Sequence, residues 1–180
     1  MTDSAPANPT DKTLEQTSAG CHAKTAPEHQ WLTKLVGDWA FESECDMGPD
    51  QPKLKSTGTE TVRTLGGLWI VCEGQGEMPG GAVPMSMRMT IGYDPAKRRF
   101  VGSWVCSVMT HMFVYEGQLD DNARVLPLNT EGPSFEDPAK TCSYQDVIEV
   151  IDDNTRLLRS RMPGPDGEWI EFMRARYTRV

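Results

Sequence analysis

His111 is the residue of this chain whose type is best suited to chemistry. An imidazole changes charge near neutral pH, so it can act as a general acid or base or bind a haem iron. His111 lies between two predicted strands, which places it near one end of a sheet. Glu60, Glu116 and Asp146 are acidic residues that could orient it, although the spacing does not fix their distances. The alternative is a loop histidine with an ordinary hydrogen bond, so the question of enzyme activity stays open.

A run of alternating apolar residues predicts a strand face that could contact an apolar ligand. Side chains alternate between the two faces of a strand, and methionine adapts to ligands of irregular shape. The face consists of Met85, Met87, Met89, Ile91 and Tyr93, with Phe100 and Trp104 on the next strand. Ordinary core packing explains the same pattern, and the sequence leaves both readings open.

The register of the preceding strand decides whether polar groups enter the interior. Trp69, Glu73 and Gln75 share one face, so the two polar residues follow Trp69 wherever it points. Polar groups on an inward face need partners or a ligand, whereas the opposite register places them in solvent. With Tyr115 and His111 as further polar contacts, we predict a set of ligand-binding residues. They are Trp69, Glu73, Gln75, Met87, Met89, Trp104, His111 and Tyr115.

The elements that position these residues are almost all strands. Residues 28–37 have a helical apolar face and a terminal Gly37, and they form the one predicted helix. Period-two alternation and turn residues then predict ten strands. They cover residues 39–47, 53–65, 68–77, 85–93, 99–108, 112–119, 124–129, 141–151, 156–162 and 168–178.

About ten strands joined by short turns predict an all-β antiparallel up-and-down β-barrel, with one short N-terminal helix closing one end. Closure removes exposed sheet edges, and a barrel of this size can enclose a ligand. Gly74, Gly76 and Gly102 should leave space inside it. The loops at residues 78–84 and 130–140 should flank the mouth of that space. Residues 1–27 lack an apolar period and are predicted to be a disordered tail, with the barrel domain at residues 28–180.

The start of the first strand resembles a known barrel superfamily. Gly37-Asp38-Trp39 is similar to the Gly-x-Trp motif of lipocalins, where a basic residue of the last strand packs on the tryptophan. The resemblance implies that Arg174 or Arg176 covers a buried Trp39. A longer series of motifs, including Leu65-Gly66-Gly67-Leu68-Trp69 and Gly92-Tyr93-Asp94-Pro95, resembles the bacterial domain-of-unknown-function family 1579. That family implies a lipocalin-like barrel and no established activity.

Composition excludes several partners. The formal net charge is −8, and nucleic-acid binding needs a basic surface to neutralise phosphates. No apolar run is long enough for a membrane helix, and the polar first residues lack a signal-peptide core. Five cysteines, an odd number with wide spacing and no Cys-x-x-Cys pair, favour reduced thiols in the cytoplasm and no metal site.

The sequence therefore predicts an intracellular barrel that binds a small, largely apolar molecule. One alternative is an enzyme that uses the same cavity, with His111 as acid or base. Another is an interaction protein with a solid barrel. Neither a cofactor nor an oligomeric state follows from the sequence.

Overall fold

The computed structural model describes residues 23–180 except residues 49, 82 and 136. Most of the predicted tail, residues 1–22, lies outside the described residues. Ten strands follow one short helix, as predicted. The strands are β1 Gly37–Cys45, β2 Leu54–Leu65, β3 Trp69–Glu77, β4 Pro84–Asp94, β5 Arg99–Cys106, β6 Phe113–Gly117, β7 Val125–Pro133, β8 Thr141–Asp152, β9 Thr155–Pro163 and β10 Trp169–Arg179.

The strands form a closed barrel in which every neighbour in sequence is a neighbour in space. Each strand pairs antiparallel with the next, and β10 returns to pair with β1. The predicted up-and-down barrel is confirmed. β7 is longer than expected and reaches Pro133, so the loop that we predicted at residues 130–140 is confined to residues 134–140.

The N-terminal helix closes one end of the barrel. Helix α1, Pro27–Leu32, tightens into a 3₁₀ turn at Thr33–Leu35 instead of continuing to Gly37. Trp31, Leu32 and Leu35 are buried, and the Trp31 indole donates to the carbonyl oxygen of Ala123 at 2.9 Å. The apolar face of the helix thus supplies the floor of the barrel, which we call the closed end.

Trp39 is buried at the closed end, but the predicted arginine partners were wrong. Arg174 and Arg176 are exposed on the outer face of β10. The guanidinium of Arg179 lies 4.2 Å from the Trp39 ring centroid, and that of Arg156 lies 4.9 Å from it. Trp39 and Arg179 are paired in register, whereas residues 174 and 176 have the opposite parity and point outward.

Arg179 also explains the glycine of the Gly-x-Trp motif. Its Nη1 donates to the carbonyl oxygen of Val36 at 2.7 Å, and its Nε donates to that of Asp153 at 2.9 Å. Gly37 has a φ of +139°, and a Cβ there would lie 2.1 Å from Arg179 Nη1. A side chain at this position would displace the arginine that ties the helix to the barrel.

The inward glycines do not leave the empty space that we predicted. A Cβ on Gly74 would lie 2.7 Å from Met87 Cγ, and one on Gly76 would lie 3.0 Å from the Phe41 ring. At Gly102 it would meet the backbone oxygen of Thr90 at 2.2 Å. Neighbouring side chains and backbone already use the volume that these glycines free.

Gly102→Ala should therefore destabilise the barrel. A backbone oxygen cannot move aside like a flexible side chain, so we expect a loss of about 1–3 kcal/mol in the free energy of unfolding. Urea denaturation checks this value, with Ser103→Ala on the same strand as the control. Unchanged stability of Gly102→Ala would show that β4 and β5 are not as close as described.

Candidate functional site

The inward face of the barrel brings together four of the predicted ligand-binding residues. Met87, Met89, Trp104 and Tyr115 point into the barrel, and their strands pair in register, with Met89 opposite Trp104. Tyr115 and Met89 are buried, whereas Met87 and Trp104 are half-buried.

Three other predicted residues lie on the outer face. Trp69 is 37% exposed and packs against Gly92, where a Cβ would lie 2.3 Å from the indole. Glu73 is exposed and forms an ion pair with Arg88 of β4, and Gln75 is also exposed. Of the two registers left open by the sequence, the structure has the one that places Glu73 and Gln75 in solvent, because Cys72 and Ile70 occupy the inward face of β3.

His111 lies at the end of the barrel opposite the helix, outside the interior. Its Nε2 donates to the carbonyl oxygen of Glu131 at 3.1 Å, and its ring contacts Phe113 with centroids 4.8 Å apart. It borders an open outer groove of about 780 Å³ that includes Val114 and Trp169.

None of the three acids that we considered for His111 is bound to it. Glu116 pairs with Lys97, Glu60 with Arg156, and Asp146 accepts from Tyr115. The structure therefore contains no carboxylate–histidine dyad at His111 among its described residues. Within the same part of the chain, no group of three or more His, Cys, Asp or Glu side chains could hold a metal.

A small cavity lies at the centre of the barrel. Its volume is about 30 Å³, which is room for roughly one water molecule. Apolar side chains form most of the wall, and a buried ion pair reaches it. The lining comprises Leu35, Glu60, Cys72, Met87, Met89, Ile91, Trp104, Ile148, Arg156, Leu158 and Tyr177.

The ion pair between Glu60 and Arg156 is a polar feature that the sequence analysis missed. Its side chains are only 9% and 5% exposed. The Arg156 guanidinium also lies 3.9 Å from the Tyr177 ring centroid, and its Nε has no hydrogen-bond partner in the described structure. The spacing in sequence could have shown that both side chains point inward. Arg156 shares a strand face with Leu158 and Ser160, and Glu60 shares one with the buried Val62.

A second polar group lies on the inward face of the barrel around Asp146. The Tyr115 hydroxyl and the Ser160 hydroxyl each donate to one oxygen of Asp146, both at 2.5 Å. Burial raises the pKa of Asp146, and these two hydrogen bonds oppose that shift. Burial, with the neighbouring Asp146, also raises the pKa of Tyr115 well above its usual value, so its hydroxyl remains a donor. Asp146 and Ser160 form the next inward pair of β8 and β9, adjacent to the cavity-lining pair Ile148 and Leu158.

Comparison with models of protein families gave a match. The family model described as "Protein of unknown function (DUF1579)" matches residues 24–179. The chain belongs to the DUF1579 family. A comparison with curated proteins gave no significant match.

Solved structures share the fold of this DUF1579 protein at low sequence identity. The crystal structure of Rv2717c from M. tuberculosis is 14% identical, with a TM-score of 0.59, and the match covers 87% of this chain and 99% of that one. The S-type phycobiliprotein lyase CPES from Guillardia theta is 11% identical, with a TM-score of 0.56 and coverage of 85% and 92%. At these identities the likeness establishes the barrel fold alone. No helix in the described residues could cross a membrane.

We call the end of this DUF1579 barrel opposite the helix the open end. Met87, Trp104, Phe113 and Met173 lie toward this end, pack against the core cluster and are only partly buried. The β3–β4 and β7–β8 connections, where loops were predicted at residues 78–84 and 130–140, both lie at this end. An aromatic cluster lies at this end, in which Phe113, Phe135 and Phe172 each contact Tyr144 with ring centroids 5.7–6.1 Å apart.

The barrel wall has its shortest strand pairing between β6 and β7. β6 pairs with β7 at only two positions, Glu116↔Asn129 and Gly117↔Leu128, whereas β5 and β6 pair at five. The hydroxyl of Thr130, just beyond the last pair, is buried without a hydrogen-bond partner in the described structure. Few backbone hydrogen bonds therefore hold β6 to β7 near the open end, and this part of the wall should open most easily.

Proposed function

We propose that the barrel binds a small, largely apolar molecule in its interior and admits it through the open end. The observation that carries this proposal is the partial exposure of Met87 and Trp104, two inward side chains that also line the central cavity. A core built only for stability buries such side chains fully, since each buried large apolar group contributes roughly 1.5–3 kcal/mol. The four cysteines among the described residues are free thiols, which supports placing this function in a reducing, cytoplasmic environment.

Binding requires the methionines to move. The cavity of about 30 Å³ is smaller than any apolar ligand of useful size. Met85 and Met87 lie on one inward face of β4, both half-buried, on the side of the open end. Methionine has three rotatable bonds and repacks at low cost, so displacing these side chains joins the cavity to the opening.

The buried polar groups support a site in preference to a solid core. Replacing a buried ion pair by apolar residues is often neutral or stabilising, so Glu60 and Arg156 are hard to explain by stability alone. The Nε of Arg156 remains without a hydrogen-bond acceptor. A ligand with an apolar body and a hydrogen-bonding group suits this combination.

Isothermal titration calorimetry with 2-naphthylmethanol tests the proposal. This probe has an aromatic body, one hydroxyl and no charge, and we expect one molecule to bind per barrel. Trp104→Leu should weaken binding about 2–10-fold, because an aromatic contact is worth about 0.5–1.5 kcal/mol beyond its buried area. Trp69→Leu, on the outer face, is the matched control and should bind as the unsubstituted protein does. Absence of saturable binding would refute the proposed function.

Met87→Ala should separate affinity from stability. Shortening this side chain enlarges the cavity, so we expect tighter binding of 2-naphthylmethanol in calorimetry, by several-fold. The free energy of unfolding should fall by about 2 kcal/mol, the low end for Met→Ala, since Met87 is half-buried. Exposed Met112, replaced by alanine, is the control. Weaker binding by Met87→Ala would show that the methionine is a contact and not a barrier.

A further inference from the structure

Asp146 is an inward carboxylate without an ion partner. Across the described residues, no Lys, Arg or His nitrogen forms a salt bridge with it. The positive charge of Arg156 is already matched by Glu60, so an ionised Asp146 gives the interior one negative charge in excess.

The hydrogen bonds to Asp146 leave capacity for a ligand. Tyr115 donates to one carboxylate oxygen and Ser160 to the other, whereas an ionised carboxylate can accept about four hydrogen bonds. Asp146 keeps partial solvent accessibility although both donors are buried. Two hydroxyl dipoles hold the carboxylate in place without neutralising it.

We infer that the ligand of this barrel carries a positively charged nitrogen that pairs with Asp146. This inference rests on the proposed interior binding site and names the chemical class of its ligand. An ammonium group supplies the missing charge and donates to the unused lone pairs of the carboxylate. The apolar body of the ligand lies along Met89, Trp104 and Leu158, which line the cavity.

Two further features favour a cation. Trp104 and Phe113 lie on the inward wall near the open end with ring centroids 5.7 Å apart, and aromatic faces attract ammonium groups. The net charge of −8 attracts cations to the protein at low salt. An anionic ligand would be repelled by Asp146, and Arg156 is already paired with Glu60.

Binding of an amine should depend on pH, because Asp146 must be ionised to pair with the ammonium group. Burial raises the pKa of Asp146 from the usual value of an aspartate, and protonation below that pKa removes the charge that pairs with the ammonium. A primary alkylamine remains protonated at neutral pH and below, so only the protonation of Asp146 changes the charge of the pair. The affinity for an amine should therefore fall as the pH drops through the pKa of Asp146. The other titratable or charged groups facing the interior around Asp146 are Tyr115, Tyr144, Tyr177, Glu60, Arg156 and Cys72.

Three matched probes test the ligand class. They are 2-naphthylmethylamine, 2-naphthylmethanol and 2-naphthoate, which share one ring system and carry a positive, zero and negative charge at pH 7.5. We expect the amine to bind at least about tenfold more tightly than the alcohol, as a charge-assisted hydrogen bond allows, and the naphthoate to bind most weakly. Asp146→Asn should abolish the preference for the amine while changing alcohol binding by less than about threefold.

Controls distinguish this inference from general electrostatics and from the proposed function. Asp121→Asn removes the same charge from an exposed turn and should preserve the preference for the amine. If Asp146→Asn fails to fold, the unsubstituted protein is titrated from pH 7.5 downward, and its preference for the amine should fall as Asp146 becomes protonated. Equal affinities for amine and alcohol would overturn the charge inference and leave interior binding intact. Failure of all three probes to bind would instead remove the proposed function itself.

Discussion

Trp39→Ala is expected to lower the free energy of unfolding by about 3–5 kcal/mol, the loss typical of a large aromatic side chain removed from a core. Trp39 is 1% exposed, and its Nε1 donates to the carbonyl oxygen of Leu35 at 2.9 Å. It also lies against the guanidinium groups of Arg179 and Arg156. One substitution therefore opens a cavity and removes contacts that hold the helix to the barrel.

Urea denaturation followed by circular dichroism measures this loss. Trp69→Ala is the matched control, since Trp69 lies on the outer face and is 37% exposed, and its truncation should cost much less. A loss below about 1 kcal/mol for Trp39→Ala would mean that the closed end is not held as described.

Breaking the buried ion pair should have an effect of similar size. Glu60→Gln or Arg156→Met alone leaves one buried charge without its partner, which costs about 3–5 kcal/mol in other proteins. The double variant removes both charges, so its free energy of unfolding should be higher than the sum of the two single losses predicts. A double-mutant cycle measured by urea denaturation gives this coupling.

The exposed pair Lys97–Glu116 provides the comparison. Both side chains are about half exposed, and exposed ion pairs contribute little to stability. Glu116→Gln should therefore change stability little. Additive losses at Glu60 and Arg156 would contradict the description of one tightly coupled buried pair.

The sequence was sufficient for the fold because each strand carries its own period-two signal. All ten strands and the single helix were predicted, since alternation and turn residues are local properties. The end of β7 was missed because Pro133 and Gly132 are typical of loops, and only pairing with β8 extends the strand to that point.

The interior site was predicted only in part, because its polar contacts join residues distant in sequence. Met87, Met89 and Trp104 were placed inside by parity, whereas the orientation of Tyr115 was left open. Parity also excluded Arg174 and Arg176 once the register of β10 was known. The pairing of Glu60 with Arg156 spans 96 residues, and no local pattern reports it. The glycines were misread because a missing Cβ indicates close approach as readily as empty space.

The location of a bound probe tests interior binding most directly. Methyl-labelled methionine, observed by nuclear magnetic resonance during titration with 2-naphthylmethanol, reports from both sides of the wall. We expect the methyl signals of Met87 and Met89 to shift and saturate together, because both side chains line the cavity. Exposed Met47, Met109 and Met112 should stay unchanged. Saturable shifts confined to those three exposed methionines would contradict binding inside the barrel.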